Sequence, residues 1–188
     1  MIRAGVTLAC SLVVVFTSGL AQAQAPSFKL DPTHTSIIFG ISHLGYSYTY
    51  GRFNVIDGEF TLDGESSTFS FSMDANSIDT GNEKRDEHLR GVDFFNVNQF
   101  PKMEFKSTKV ELTDDGMNVT GNMTMHGETA EIVIPFKLLK EGDTPFGDYR
   151  AGFSTQFNLK RSEFGMTNML QGIGDDVAIT FSFEGVRQ

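Results

Sequence analysis

The sequence predicts an all-β protein of mostly antiparallel, sequentially connected strands, and three observations predict it. Apolar and polar residues alternate at period two along most of the chain, turn residues fall between the alternating runs, and the main break in the pattern is one dense charged stretch near residues 80–99.

The N-terminal residues are set apart from this pattern. Arg3, the apolar run Val6 to Phe16 and the small-residue pattern Ala21-Gln22-Ala23 read as a secretory signal peptide over residues 1–23. An uncleaved anchor is the competing reading, but the run falls short of the roughly 20 apolar residues that span a bilayer. Cleavage would leave residues 24–188 as one domain outside the cytoplasm. The single cysteine, Cys10, lies in the leader, so the mature chain has no disulfide, thiol nucleophile or thiolate metal site. The remaining residues, about 165 of them, suffice for one core. Loss of Arg3 moves the formal charge from −9 to −10, which argues against nucleic acid or an anionic membrane surface as a bulk partner.

Eight alternating runs follow in order. Ile37, Phe39 and Ile41 share one face, as do Phe69, Phe71 and Met73, then Met103 and Phe105, then Val110 and Leu112. The pattern continues with Met117, Val119, Met123 and Met125; Ile132, Ile134, Phe136 and Leu138; Tyr149, Ala151, Phe153, Thr155, Phe157 and Leu159; and Val177, Ile179, Phe181 and Phe183. Asp63-Gly64, Asp114-Asp115-Gly116 and His126-Gly127 supply turns. A short helical insert is expected over Asn82 to Arg90, and a longer loop over Arg161 to Asp176. Val92, Phe94 and Phe95 after the helix give it an apolar side to press on the sheet.

Such strands close either as a sandwich or as a barrel, and a barrel removes exposed edges. Eighteen phenylalanines against no tryptophan and four tyrosines are a strong bias toward rings without hydrogen-bonding groups. That composition suits a dry core or a hydrocarbon pocket. An outer-membrane barrel is disfavoured, because runs of five to seven residues are shorter than the 9 to 11 or so that cross a bilayer.

The catalytic inventory is thin. His34, His43, His88 and His126 form no close-spaced ligand pair, so no metal site is expected. His126 belongs in a turn, His34 bonds backbone at a strand start, and His43 points inward near a strand end. No nucleophile elbow, Walker loop or dinucleotide fingerprint is present, and no catalytic residue is assigned.

Several separate motifs, in order, carry a resemblance. Asp31-Pro-Thr-His34 to Phe39, His43-Leu44-Gly45, Gly51-Arg52-Phe53, Ile78 to Arg90 with Asp93-Phe-Phe95, Phe100-Pro101 to Thr108 and Arg161 to Met166 together resemble the YceI family of periplasmic proteins, from about Phe28 to Val186. The resemblance implies an eight-stranded antiparallel lipocalin-like barrel in the periplasm, whose apolar interior holds a polyisoprenoid or similar long-chain amphiphile, such as an isoprenoid quinone or prenyl phosphate. That lipid is a ligand and not a cofactor, and no cofactor is expected. Phe28, where relatives often have Trp or Tyr, and the tyrosine-rich Tyr46 to Tyr50 depart from the family pattern.

On that basis the apolar tunnel is assigned to Phe39, Phe53, Phe60, Phe69, Phe71, Phe105, Met123, Ile134, Phe153, Phe157 and Phe181, with inward direction taken from alternation. The head group is assigned to His43, Arg52, Arg85, His88 and Arg161. Met166, Met169, Leu170 and Ile173 form either a lid or ordinary packing under a long loop. A lipid-modifying hydrolase or isomerase with a histidine base is the alternative to a binder. A membrane redox or lipid-handling protein is the expected partner, nucleic acid is not, and a dimer is allowed.

Overall fold

The computed structural model describes residues 25–188; the expected leader, 1–23, lies outside them. Eleven strand segments close into one ring: β1 (Ser27–Leu30), β2 (Ser36–His43), β3 (Ser47–Phe53), β4 (Ile56–Thr61), β5 (Thr68–Asp74), β6 (Ile78–Asp79), β7 (Lys102–Thr113), β8 (Gly116–Met125), β9 (Glu128–Asp143), β10 (Tyr149–Lys160) and β11 (Ile173–Arg187). Three pairs of segments are single staves with a bend, β1 with β2, β3 with β4 and β5 with β6, so the barrel has eight staves in sequential antiparallel order. Closure runs through β11, which pairs with β2 along its first part and with β1 at its end, where Phe28 faces Arg187.

Two of the bends are written into the sequence by aspartate. Asp31 and Asp74 each accept the backbone N–H two residues on, from Thr33 and Asn76, both at 2.9 Å, and each opens a single 3-10 turn before the stave resumes. The alternation in β7 changes phase for a comparable local reason. A bulge between Ser107 and Lys109 moves the inward set from Met103 and Phe105 to Val110, so two expected strands are one.

The stave formed by β3 and β4 was not among the alternating runs. Tyr46, Tyr48 and Tyr50 are exposed and face outward, while Ser47 and Thr49 face the interior, so the polarity of β3 is inverted. Merging two runs and adding this stave keeps the number at eight.

The connections alternate between the two ends. Residues 44–46, 80–101, 126–127 and 161–172 lie at one end, the mouth, and 62–67, 114–115 and 144–148 at the other, the base. The mouth carries helix α1 (Glu83–Arg90), capped by the Asn82 side chain accepting Arg85 N–H at 3.1 Å, with Glu83 and Asp86 in its first turn. Among the described residues no helix is long and apolar enough to cross a membrane.

The two long connections sit where the ladder stops. β3 pairs with β6 only at Arg52 and Phe53, and Thr80 at the start of the helical insert packs beside Gly51. The β9–β10 ladder ends at Lys137 opposite Ser154, although both strands run on toward the mouth. Continuing that register would bring Gln156 opposite Pro135, which has no N–H to give. The 3-10 turn Arg161–Phe164 packs against β9 beyond this seam, and Phe164 is fully buried.

Candidate functional site

The interior is divided into two levels. Toward the base, Phe28, Phe60, Phe69, Phe136, Phe153 and Phe183 are each under 2 % exposed and form a contiguous ring cluster. Their centroids lie 4.9 Å apart for Phe28 and Phe60, 5.1 Å for Phe69 and Phe136, and 5.3 Å for Phe153 and Phe183. Stacked and edge-to-face contacts at these separations leave no room for a guest. Toward the mouth the same barrel encloses a cavity of about 460 Å³.

Eight of the eleven expected tunnel residues line this cavity: Phe39, Phe53, Phe71, Phe105, Met123, Ile134, Phe157 and Phe181. Phe60, Phe69 and Phe153 do not, since they belong to the plug. Alternation reports which face of the sheet a residue occupies and is blind to its level along the barrel axis. The same limit hid Ile37, Met73, Met103, Met125, Leu159 and Ile179, which are cavity residues on the inward faces already read from the sequence.

The mouth is built from the two long connections. Leu89, Phe94 and Phe95 of the helical insert reach the cavity, with Phe95 edge-on to Phe53 at 5.6 Å, whereas Val92 is exposed and takes no part. Met166, Met169 and Ile173 close the other side, and Leu170 faces outward, 40 % exposed. Leu44 N–H donates to the Gly172 carbonyl at 2.7 Å, which ties the β2–β3 turn to this loop.

Among the described residues, polar groups meet the cavity only around this end. Arg85 lines it and holds Thr80 side-on, with Nε on the Thr80 hydroxyl at 2.7 Å and Nη2 on its carbonyl at 2.9 Å. The Thr80 hydroxyl and N–H in turn donate to Asp86, a buried carboxylate on α1. His88 lines the mouth with Nε2 at 3.4 Å from Asp93 and its ring edge-on to Phe94. His43, Ser42, Ser47 and Thr49 complete the rim.

Two expected head-group residues are placed differently. Arg52 lies outside the cavity because it alternates with the inward Phe53; it donates to Asp79 through Nε at 3.2 Å and Nη2 at 3.1 Å across β3 and β6. Arg161 borders the cavity but is 4 % exposed and engaged with the backbone: Nε donates to Gly174, Nη1 to Met166 and Nη2 to Ile173. Burial pushes its guanidinium below the usual value, partly offset by Asp175. It pins the 161–174 loop from beneath.

The other histidines are structural. His126, in the left-handed turn position at φ 54°, meets the Phe164 carbonyl at 3.1 Å through Nδ1 and so joins the β8–β9 turn to the long loop. His34 bonds the Asp31 carboxylate at 2.9 Å and not the backbone. Asp31, His34 and Glu184 bring ligand-type atoms within 4.8 Å of one another, but Arg150 bonds both carboxylates through Nη1 and Asp148 through Nε. A guanidinium thus supplies the cation that this acidic cluster needs.

Fold and cavity define a class of closed up-and-down barrel with a plugged base and an apolar chamber open at one end. The chain belongs to the YceI-like domain family, which matches residues 28–185. It is 42% identical over 179 residues to a UPF0312 protein of Pseudomonas aeruginosa strain PAO1, covering 93% of each chain. Among solved structures it resembles BcnA of Burkholderia cenocepacia, 20% identical with a TM-score of 0.75 over 82% of this chain and 98% of that one. It also resembles a polyisoprenoid binding domain from Saccharophagus degradans implicated in plant cell wall breakdown, 15% identical with a TM-score of 0.70 over 86% of this chain and 98% of that one. At those identities the likeness is one of fold.

Proposed function

We propose that this protein is a periplasmic binder that holds a polyisoprenoid or similar long-chain amphiphile, an isoprenoid quinone or prenyl phosphate, with its tail in the barrel and its head group at the mouth, for transport or storage. The observation that carries this is the segregation of the cavity among the described residues: phenylalanine, methionine and aliphatic side chains line the chamber, while Arg85, His88, His43 and Ser42 stand at its open end. An amphiphile has the same polarity along its length. Burying about 20 methylene-sized groups at roughly 0.8 kcal/mol each would give about 16 kcal/mol gross, from which binding entropy and desolvation subtract. Family membership and the polyisoprenoid-binding neighbour support the same choice of ligand.

The test is mass spectrometry of an organic extract from protein purified out of its native compartment, with an unrelated protein of that compartment as control. One stoichiometric prenyl species is expected. A protein that emerges empty and takes up no added prenyl lipid would overturn the proposal.

A lipid-modifying hydrolase or isomerase is the second candidate, favoured by one observation: His88, a potential base at the mouth, has Asp93 as an orienting carboxylate. Turnover of a prenyl phosphate that vanishes in His88→Ala or His43→Ala would select it, and recovery of unchanged ligand would reject it. A membrane redox or lipid-handling protein is the partner that would load or unload such a binder, as a monomer or a dimer.

A further inference from the structure

The cavity has a floor, and the floor sets a length. Phe71, Phe105 and Phe181 lie across the lower end of the chamber, with Phe71 and Phe105 stacked at 6.4 Å and Phe71 edge-on to Phe181 at 5.3 Å. Directly beneath, Phe183 contacts Phe181 at 4.7 Å and Phe71 at 5.1 Å, which joins the floor to the sealed plug. A tail entering from the mouth therefore meets rings supported by further rings.

The floor is also rigid. Phe71 lies over Gly58 and Phe105 over Gly121, where a built Cβ would come 2.6 Å and 2.5 Å from the respective rings. Each ring has the barrel wall on one side and its neighbours on the other. Swinging one downward would require a space in the plug, where packing is of interior density.

We infer that the phenylalanine floor makes this chamber a ruler for tail length: a prenyl chain gains retention with each isoprene unit up to about four, which is what about 460 Å³ holds at interior packing density with about 90 Å³ of molecular volume per unit, and gains little from units beyond that. This rests on the proposal that the chamber holds a prenyl chain. The physical basis is simple. Each added unit gains by leaving water until the chamber is full, and every unit beyond that stays outside and gains nothing.

The ruler predicts a plateau. The mature protein is incubated with an equimolar, detergent-dispersed mixture of geraniol, farnesol, geranylgeraniol and the nine-unit solanesol, separated from free lipid, and the retained species are quantified by mass spectrometry. Retention is expected to rise by at least about tenfold per unit up to geranylgeraniol, and solanesol to gain less than about threefold beyond it. In Phe71→Ala, which opens the floor, the preference shifts toward the longer alcohol; in Ile134→Phe, which fills the chamber, it shifts toward farnesol.

Retention that keeps rising steeply to solanesol in the unaltered protein would overturn the ruler and leave prenyl binding intact. Retention of none of the four alcohols would overturn prenyl binding itself, and the ruler with it. The series in the unaltered protein decides the matter even where a substituted barrel folds poorly.

Discussion

Phe39 lies over Gly51, its direct cross-strand partner, so closely that a Cβ at Gly51 would sit 2.3 Å from the ring's Cζ. Glycine at this position lets an inward phenylalanine fold down onto the wall and not project across the lumen. The neighbouring Thr80 methyl would also come within 2.9 Å of that Cβ. Open space in a phenylalanine-rich barrel is thus made by residues that have no side chain.

Gly51→Ala should therefore push the Phe39 ring off the wall and into the chamber. We expect a loss of about 1–3 kcal/mol of folding stability from overpacking, together with weaker retention of the apolar ligand. Denaturant titration and lipid recovery measure the two effects; full lipid retention would show that the ring finds room elsewhere.

Arg161→Ala should act on the loop more than on a head group. It leaves three carbonyls of the 161–174 segment without their donor, at an expected cost of about 2–4 kcal/mol in stability. Faster amide exchange across 161–174 with little change in ligand charge preference is the expected result. Selective loss of a phosphorylated ligand with unaltered exchange would return Arg161 to the head group.

Arg85 and His88 should distinguish ligand charge. Arg85→Ala combined with His88→Ala is expected to weaken a prenyl phosphate by about tenfold, or about 1.4 kcal/mol, and the matching neutral alcohol by much less. Side-by-side competition with the two lipids checks this; equal losses would sink the head-group assignment.

Acid should loosen the base of the barrel. Hydrogen bonds from His34 and Arg150 hold the Asp31 carboxyl well below the ordinary carboxylate range. A carboxyl depressed in the folded state contributes stability above its unfolded value near pH 4, and that contribution fades as the pH falls further. Asp31→Asn should therefore flatten the acid limb of a stability–pH profile, by of order 1 kcal/mol since water still reaches the cluster. An unchanged limb would show that other carboxylates govern it.

Thr155 is 4 % exposed, between Phe153 of the plug and Phe157 of the wall, and its hydroxyl has no partner among the described residues. Thr155→Val should raise stability by about 1 kcal/mol by removing an unanswered polar group. A lower melting temperature would mean that the hydroxyl is satisfied in solution.

Much of this architecture is legible in the chain. Period-two alternation gives the inward face of nearly every stave, and the charged block at 80–95 announces the cap. Three things escape it, each for a physical reason. β3 is inverted, with Ser47 and Thr49 inside and tyrosines outside, so a search for inward apolar residues passes over it. The separation of plug from chamber depends on height along the barrel, which puts Phe60, Phe69 and Phe153 in one and Phe71, Phe157 and Phe181 in the other. Charge alone does not reveal that Arg52 belongs to Asp79 and that Arg161 belongs to backbone carbonyls.

The seam beside Pro135 has a consequence for the protein's behaviour in a crowd. A closed ring offers no strand edge to a neighbour, but an interrupted ladder does, and an unguarded edge invites another chain to pair with it. Here proline withholds a donor on one bank, the exposed Glu128 and Glu131 add negative charge beside it, and exposed Lys160 ends the other. These residues are remote from the phenylalanine floor, yet they guard a stretch where the closed ring's ladder is interrupted against pairing with a neighbour.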